Sequence, residues 1–465
     1  MAQSRRDRDA YDLVVLGGGS AGETVAERVA KSGLRVALIE SRLVGGECPY
    51  WGCVPSKALL IAASRRRQAA SAHRLGAVAR PLALGDAKAA WAQAVRMRDE
   101  RAEHLDDAGA VRRLEEAGVH IVRGEGGILA PGRIAVGGTE LTYDQLLISV
   151  GAEAVLPPVP GLAAARPWTS DDALTSDELP GSLVILGGGA IGVELAQVYS
   201  TFGATVTVVE ALDRLLPGEE PEVSAAVAAV LEATSVRVSV GVGVERVALD
   251  EGRPVLHLED GTEFTGHRVL VASGRRPRLT GYGLEHLDVD VSSGAIPVRD
   301  DGQVPGLPGV YAAGDVTGRL PFTHMANYAG RVIATNILGG TACMDVTAIP
   351  RGVFIDPPVA GVGPSAEQAR RDGRRVISVS VDVAGTARAW LESESGILVM
   401  NADADTGTLI SASAIGPRAD EWISQVTLAI RAHVPVATLA DTVQPFPAVS
   451  EVLFPAYEQL LSRLD

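Results

Sequence analysis

Apolar and glycine-rich segments alternate in the same order at two places in the chain. Residues 11–16 form a short apolar run that ends in a Gly-Gly-Gly-Ser-Ala-Gly turn. Apolar residues then recur at helical spacing, and a second apolar run ends in Glu40. The order repeats from residue 182, through a Gly-Gly-Gly-Ala-Ile-Gly turn, to an apolar run that ends in Glu210. Each place predicts a strand, a tight turn, a helix and a second strand that ends in a carboxylate.

The two turns carry glycines at the spacing that dinucleotide binding requires. The first glycine permits the tight turn, the second lets a pyrophosphate approach the backbone, and the third lets the helix pack on the sheet. The acid that ends the second strand is placed to accept hydrogen bonds from a ribose. Two such motifs predict two dinucleotides, one of them a flavin held throughout the cycle. The candidate binding residues are Gly17, Gly19, Ser20, Gly22 and Glu40 in the first motif and Gly187, Gly189, Gly192 and Glu210 in the second.

The second motif also predicts which nicotinamide coenzyme is used. A carboxylate at Glu210 suits an unphosphorylated adenosine ribose and would repel a 2′-phosphate. NADH is therefore favoured over NADPH. Arg214 is close enough in sequence to keep NADPH as an alternative.

Three further apolar runs end in turns that belong with these motifs. Two of them end at Gly151 and Gly274, each as a buried strand that meets a tight turn. The third begins at Val310 and ends in Gly314 and Asp315. An acid in that position is placed to bind the sugar hydroxyls of a flavin. Alanine- and arginine-rich helices are predicted at residues 55–74 and 86–118, and a proline-rich linker at residues 157–161.

The pattern changes from about residue 349. Residues 376–383 alternate apolar and polar side chains, as in a half-buried strand. Two more strands flank the turn at residues 405–407 and predict a hairpin. Helices are predicted at residues 419–433 and 450–465. An antiparallel sheet with helices and no nucleotide motif is a third kind of domain.

Length and charge limit the remaining possibilities. A chain of 465 residues predicts two to four domains. The net charge of −15 argues against a nucleic acid partner and against an anionic membrane surface. No apolar stretch approaches the length of a membrane span, and residues 1–9 lack the apolar core of a signal peptide. Three cysteines are too few for a secreted disulfide framework, so a cytoplasmic protein is expected.

Two of those three cysteines, Cys48 and Cys53, stand five positions apart just before a predicted helix. Pro55 suits the first helical position, because its missing N–H would be unpaired there. The positive end of the helix then favours a thiolate at Cys53. The pair can cycle between disulfide and dithiol. A structural disulfide or two unrelated core cysteines are the alternatives, and the neighbouring nucleotide motifs favour redox chemistry.

The order of these motifs resembles the class I pyridine nucleotide–disulfide oxidoreductases, such as lipoamide dehydrogenase, glutathione reductase and mercuric reductase. The resemblance covers nearly the whole chain, and three stretches carry it most strongly. They are GGECPYWGCVPSK at residues 45–57, GVYAAGDV at residues 309–316 and IPRGVFIDPPVAGVG at residues 349–363.

The resemblance implies an α/β fold with two Rossmann-like dinucleotide-binding domains and a C-terminal α+β dimerisation domain. An FAD-binding domain would occupy residues 1–155 and 277–345, an NAD(H)-binding domain residues 156–276, and the dimerisation domain residues 346–465. The protein would be a homodimer that acts on a small-molecule electron acceptor.

The resemblance also assigns roles to individual residues. Lys57 would lie by the flavin and pair with Glu194, behind the second glycine turn. Cys53 would face the flavin and form the charge-transfer thiolate, and Cys48 would be the outer, exchanging thiol. Hydride would pass from the nicotinamide to the flavin, and two electrons from there to the cysteine pair. Gly46 and Asp315 would join the glycine motif in binding FAD.

The chain departs from the family near its C-terminus. Disulfide reductases of the family carry His-Pro-x-x-x-Glu there, contributed across the dimer, and the His moves protons to and from the outer thiol. Glu451 is in register, but Phe446 replaces the His. A phenyl ring cannot transfer a proton, and general acid–base help is worth about 10²–10⁴-fold. Ordinary disulfide reduction is therefore expected to be slow, and Glu451 would cap the last helix or lie in the interface.

The expected acceptor is therefore a quinone, a dye or an atypical disulfide. One alternative is a conventional dihydrolipoyl dehydrogenase-type reductase with a substitute base, His324 or His433. Another is a non-catalytic flavin redox sensor. No bound metal is expected, and the last residues lack the cysteine pair that mercury reduction requires. Tyr50 and Trp51 would either wall the acceptor site or pack against the next helix.

Overall fold

A computed structural model describes residues 9–464. The strands, numbered in chain order, are β1 (Ala10–Leu16), β2 (Val36–Glu40), β3 (Val119–Arg123), β4 (Gly126–Ala130), β5 (Arg133–Val136), β6 (Thr139–Ile148), β7 (Ala152–Ala154), β8 (Ser182–Leu186), β9 (Thr205–Glu210), β10 (Arg237–Val240), β11 (Val244–Asp250), β12 (Arg253–Leu258), β13 (Glu263–Thr265), β14 (Arg268–Val271), β15 (Arg275–Pro277), β16 (Val310–Ala312), β17 (Pro350–Val353), β18 (Val359–Val362), β19 (Val376–Asp382), β20 (Ile397–Asp403) and β21 (Thr408–Ile415).

The α-helices, numbered in the same way, are α1 (Ser20–Ala30), α2 (Glu47–Tyr50), α3 (Cys53–Ser71), α4 (Ala87–Arg101), α5 (Ala108–Glu116), α6 (Ser170–Thr175), α7 (Ala190–Thr201), α8 (Pro221–Ala233), α9 (Thr323–Ile337), α10 (Ala366–Arg371), α11 (Ala387–Glu392), α12 (Ala419–Arg431), α13 (Val436–Ala440) and α14 (Leu453–Leu464). None of the helices in this part of the chain combines the length and the hydropathy that a membrane crossing requires.

The chain forms two compact units. The first comprises the described residues up to Pro55, Met97–Val155 and Gly274–Asp345, and the second comprises Ser56–Arg96, Leu156–Ser273 and the described residues from Val346 onwards. The first unit resumes at Gly274, before the predicted boundary at 276, because β15 pairs with β7 there. The functional assignment of residues 1–155, 156–276, 277–345 and 346–465 to separate domains stays a prediction.

The first unit is built on a sheet with strand order β3-β2-β1-β6-β5-β4, in which β16 also pairs with β6. β1 lies parallel to β2 and to β6. Parallel neighbours need a crossover connection, and α1 supplies the one between β1 and β2. Val14 and Val15 of β1 are fully buried, because a parallel sheet is covered on both faces. The predicted strand, turn, helix and strand are therefore confirmed.

The second unit contains the same arrangement, with parallel strand order β10-β9-β8-β14 and with α7 as the crossover between β8 and β9. Its C-terminal part is a five-stranded antiparallel sheet of order β17-β18-β21-β20-β19. The predicted hairpin is present, because β20 and β21 pair across the turn at residues 404–407. Trp422, Ile423 and Val426 of α12 are buried in the core of this part.

Two helix predictions need correction. The helix predicted at residues 86–118 is interrupted, because Glu103, His104 and Leu105 have positive φ angles of 52°, 52° and 59°. The interruption turns the chain so that Asp107 accepts from the Val44 N–H at 2.6 Å. The helix predicted from residue 450 begins as a short 3₁₀ turn, and α14 starts at Leu453.

Candidate active site

The glycine turns of both units leave open space at the same position. A Cβ atom on Gly22 would lie 2.1 Å from the Gly17 carbonyl oxygen, so only glycine lets α1 approach the turn. The matching distance from Gly192 to the Gly187 oxygen is 2.0 Å. A Cβ on Gly19, by contrast, would have no atom within 4 Å. The open side of each turn is therefore where a pyrophosphate fits, with Ser20 as the first residue of α1.

The acids that follow the turns are held by backbone amides. The Gly18 N–H donates to Glu40 Oε2 at 2.7 Å, and the Arg42 N–H donates to Glu40 Oε1 at 2.6 Å. Glu210 is held in the same way, by Gly188 at 2.6 Å and Leu212 at 2.8 Å. Each carboxylate oxygen can accept a second hydrogen bond, so both acids remain available to a ribose.

The Arg214 side chain contacts residues of its own loop. Its Nη1 lies 3.2 Å from Asp213 Oδ1, and its Nη2 donates to the Pro217 carbonyl at 3.2 Å. The Arg214 guanidinium is therefore held by its own loop, whereas the Glu210 carboxylate lies at the end of β9, beside the second glycine turn.

A second backbone contact joins the glycine turn of the first unit to the segment that leads to the cysteines. The Gly45 N–H donates to the Gly18 carbonyl at 2.8 Å. A Cβ on Gly46 would lie 2.8 Å from Gly19 Cα, and φ at Gly46 is +70°. Glycine is therefore required at residue 46, where the two segments cross.

The other predicted cofactor-binding residues also lie in the first unit. Gly314 and Asp315 follow β16, and burial raises the pKa of the Asp315 carboxyl while Arg275 opposes that rise. The Gly151 carbonyl accepts from the Arg278 N–H at 3.0 Å, and the Gly274 carbonyl accepts from the Val155 N–H at 3.0 Å. Both of these glycines have positive φ.

The cysteines occupy the ends of two successive helices. Cys48 lies in α2 and Cys53 begins α3, and both are free thiols in this structure. Pro55 is therefore the third residue of α3 and not the first, although it stays within the turn whose N–H groups are unpaired. A hydrogen bond with Cys53 and then burial raise the pKa of the Cys48 thiol, and Thr323 acts in the opposite direction.

Thr323 is a functional candidate that the sequence interpretation missed. Its Oγ1 lies 3.3 Å from the Cys53 sulfur. The stretch around it had been singled out for His324, the next residue, whose ring stacks on Phe322 at a centroid distance of 5.2 Å. A hydroxyl beside a thiolate stabilises it by a hydrogen bond. The only signal in the sequence was that this stretch starts the helix after Asp315.

Lys57 and Glu194 pair in the second unit. Lys57 Nζ lies 3.1 Å and 3.0 Å from the two carboxylate oxygens of Glu194. The Glu194 side chain is 7% exposed and that of Lys57 is 33% exposed. Phe354 joins the pair, because its N–H donates to Glu194 Oε1 at 2.9 Å and its ring lies 4.6 Å from Lys57 Nζ.

The two aromatic residues between the cysteines are buried. The Tyr50 hydroxyl donates to the Val44 carbonyl at 2.9 Å, and burial raises the pKa of Tyr50 to about 12. The Arg42 guanidinium lies 3.8 Å from the centre of the Trp51 ring. Of the two interpretations of these residues, this burial favours packing over an aromatic wall for an acceptor.

Phe446 and Glu451, from the C-terminal motif in which the chain departs from the family, have different surroundings. Phe446 is 77% exposed. Glu451 Oε2 accepts from the Ala448 N–H at 3.2 Å and so caps the short 3₁₀ turn at Val449–Val452. His433 is exposed just after α12, and Cys343 is also exposed. No group of three or more candidate metal ligands occurs among residues 9–464.

Comparison with known proteins covers most of the chain. Residues 11–330 match the family described as "Pyridine nucleotide-disulphide oxidoreductase", and residues 349–457 match its dimerisation domain. The chain is 33% identical over 460 residues to a dihydrolipoyl dehydrogenase of Thermus scotoductus, with 97% of each chain covered. It is 32% identical over 461 residues to a mercuric reductase of Acidithiobacillus ferrooxidans, with 97% of this chain and 83% of the relative covered.

A solved structure has the same fold. It is the Cu(II) complex of the HOCl-induced flavoprotein disulfide reductase RclA from Escherichia coli, with a TM-score of 0.85 and 29% identity. The match covers 97% of this chain and 99% of that one.

We expect Thr323→Val to make the cysteine pair less reactive, because the thiolate loses a hydrogen bond that is worth about a factor of ten. The measurement is the rate of iodoacetamide alkylation of Cys48 and Cys53 against pH, read by mass spectrometry. The variant profile should move to higher pH, and Thr323→Ser should restore it. Thr335→Val, on the same helix, is the control. Coincident profiles for Thr323→Val and the control would contradict this role.

We expect Lys57→Met to lower the free energy of unfolding by about 2 kcal/mol, because it leaves the buried Glu194 carboxylate without its cation. Urea unfolding measures the loss, and adding Glu194→Gln should recover part of it. Lys31→Met removes an exposed pair with Glu27 and should cost no more than about 0.5 kcal/mol. Equal losses for the two lysine variants would argue against a stabilising role for the Lys57–Glu194 pair.

Proposed function

Because this chain belongs to the class I pyridine nucleotide–disulfide oxidoreductase family, we propose that it oxidises NADH and passes the electrons, through FAD and the Cys48–Cys53 pair, to a quinone, a dye or an atypical disulfide. The family is FAD-dependent and uses NAD(P)H, so the chain is a flavin-dependent oxidoreductase. The acceptor and the choice of NADH belong to the proposal. The observation that carries it is a hydrogen-bonded thiol pair in the unit that also holds the first dinucleotide cradle.

The residues of the first unit fit FAD. The open space at Gly19 suits its pyrophosphate, and the carboxylates of Glu40 and Asp315 suit its sugar hydroxyls. When bound, FAD supplies the two-electron carrier between a nicotinamide and a disulfide. Cys53 and Cys48 would hold the electrons as a dithiol, with Cys53 at the positive end of α3 and Cys48 as the exchanging thiol. A role for the Lys57 cation in stabilising negative charge that develops during reduction stays a prediction.

The second unit supports NADH as the coenzyme. Gly187, Gly189 and Gly192 form an open turn, and Glu210 stays available to a ribose. A 2′-phosphate would be repelled by this carboxylate. Arg214 pairs with Asp213 and donates to the Pro217 carbonyl, so a 2′-phosphate would have to compete with these contacts for the guanidinium.

Phe446, which replaces the His of the family motif, supports an acceptor that needs no proton donor from that position. A quinone or dye takes up electrons without a base that deprotonates an attacking dithiol, whereas dihydrolipoamide exchange requires one. A homodimer follows from the dimerisation domain. His324 and His433 remain the alternatives for a substitute base, and a cytoplasmic location stays a prediction.

The direct test is an anaerobic titration of the purified protein. The protein should carry FAD, and NADH should bleach the flavin absorbance faster than NADPH does. Steady-state assays with quinones, dyes and disulfides should then give turnover with the first two classes. Cys48→Ser should keep flavin reduction by NADH and lose transfer to any disulfide. Purified protein that carries no FAD would contradict the proposal. A flavin that NADH reduces once, without steady-state turnover with any acceptor, would favour the alternative of a redox sensor.

Phe446→His tests why ordinary disulfides are poor acceptors. The new imidazole can move protons, so the rate with lipoamide or glutathione disulfide should rise. The expected increase approaches about 10²-fold, which is the contribution of general acid–base catalysis. Phe454→His is the matched control, because Phe454 is another exposed phenylalanine of the same domain. Fast disulfide turnover by the unchanged protein would refute the assigned acceptor.

A further inference from the structure

Glu47, immediately before Cys48, is held by two arginines. Its carboxylate forms an ion pair with Arg275 and lies 3.7 Å from Arg278 Nη2. The side chains of Glu47, Arg275 and Arg278 are 32%, 20% and 28% exposed. Such half-buried charges are screened less by salt than surface charges are. We call these three residues the arginine clamp.

The two guanidinium groups are fixed to the backbone of the β7–β15 ribbon. Arg278 Nε donates to the Ala152 carbonyl at 2.9 Å, and Arg275 Nη2 donates to the same oxygen at 3.1 Å. The Arg278 N–H also donates to the Gly151 carbonyl. The clamp therefore ties Glu47 to a ribbon that is itself hydrogen-bonded, and not to mobile side chains.

The backbone of Glu47 also shapes the turn between the cysteines. The Trp51 N–H donates to the Glu47 carbonyl at 3.0 Å. A Cβ on Gly52 would lie 2.9 Å from that same oxygen, so the turn closes tightly on it. Since Cys48 and Cys53 stand on either side of this turn, the position of Glu47 affects how the two sulfurs face each other.

We propose that Glu47 is a positioning residue that holds Cys48 beside Cys53 and thereby stabilises their disulfide relative to the dithiol. This inference rests on the proposed function, in which the pair is redox-active. Holding one thiol beside the other raises its effective concentration for bond formation.

The reaction that measures this effect is exchange with glutathione. The Cys48 and Cys53 thiols give up two protons and two electrons, and one S–S bond forms between them. The S–S bond of glutathione disulfide breaks and takes up those protons and electrons to give two glutathione thiols. The equilibrium constant of this exchange reports the stability of the protein disulfide directly. It needs neither NADH nor an electron acceptor.

The experiment compares Glu47→Gln with the unchanged protein, both loaded with FAD, in glutathione buffers of graded ratio. Acid quenching, alkylation and peptide mass spectrometry then give the oxidised fraction of the pair. We expect Glu47→Gln to lower the equilibrium constant about fivefold. That change corresponds to a midpoint potential about 20 mV more positive for a two-electron couple. Arg278→Gln should shift it in the same direction by a smaller factor.

Glu153→Gln is the matched control. Glu153 lies on the same ribbon and pairs with Arg276 at 2.8 Å, but both side chains are exposed and neither belongs to the clamp. Its equilibrium constant should equal that of the unchanged protein. If the unchanged protein forms no Cys48–Cys53 disulfide, the proposed function fails and the inference with it. If that disulfide forms but Glu47→Gln and Arg278→Gln match the control, only the positioning role is overturned. If Glu47→Gln fails to fold, the comparison of Arg278→Gln with the Glu153→Gln control tests the positioning role instead.

Discussion

The close approach of two glycine segments in the first unit is the constraint on which the rest of the site depends. Gly45 donates to the Gly18 carbonyl, and Gly46 leaves no room for a side chain against Gly19. The segment that begins at Gly45 leads directly into α2 and α3. The phosphate cradle and the cysteine turn therefore share one piece of backbone, and neither can move without the other. A side chain at either crossing point would separate them at the cost of main-chain hydrogen bonds.

The features that sequence predicted are those in which spacing along the chain determines the geometry. A glycine motif that follows a strand and opens a helix indicates one particular turn, because its strand and helix context is also local in sequence. Both dinucleotide motifs and the C-terminal hairpin were predicted in this way and are present. Pro55 was predicted to be the first residue of its helix, but it is the third. The end of a helix can be assigned only to within one or two residues.

The features that sequence did not predict depend on residues far apart in the chain. Thr323 reaches Cys53 across 270 positions, and Arg275 reaches Glu47 across 228. Asp107, just after the interruption of a predicted helix, accepts from the backbone of residue 44, and nothing local to Asp107 indicates that partner. Tyr50 and Trp51 could have been exposed or buried on sequence alone, since aromatic residues suit both environments. In each case the fold selects the partner.

The hydrogen bonds to Glu210 affect how this protein could change its coenzyme. The carboxylate accepts from Gly188 and from Leu212, so it is part of the turn as well as the predicted ligand of a ribose. Removal of this acid would lessen the repulsion of a 2′-phosphate, but it would also leave two main-chain donors unpaired. A phosphate could take over those donors, but only while it is bound. A variant without this acid would therefore have a loop whose order depends on whether a phosphate is bound there.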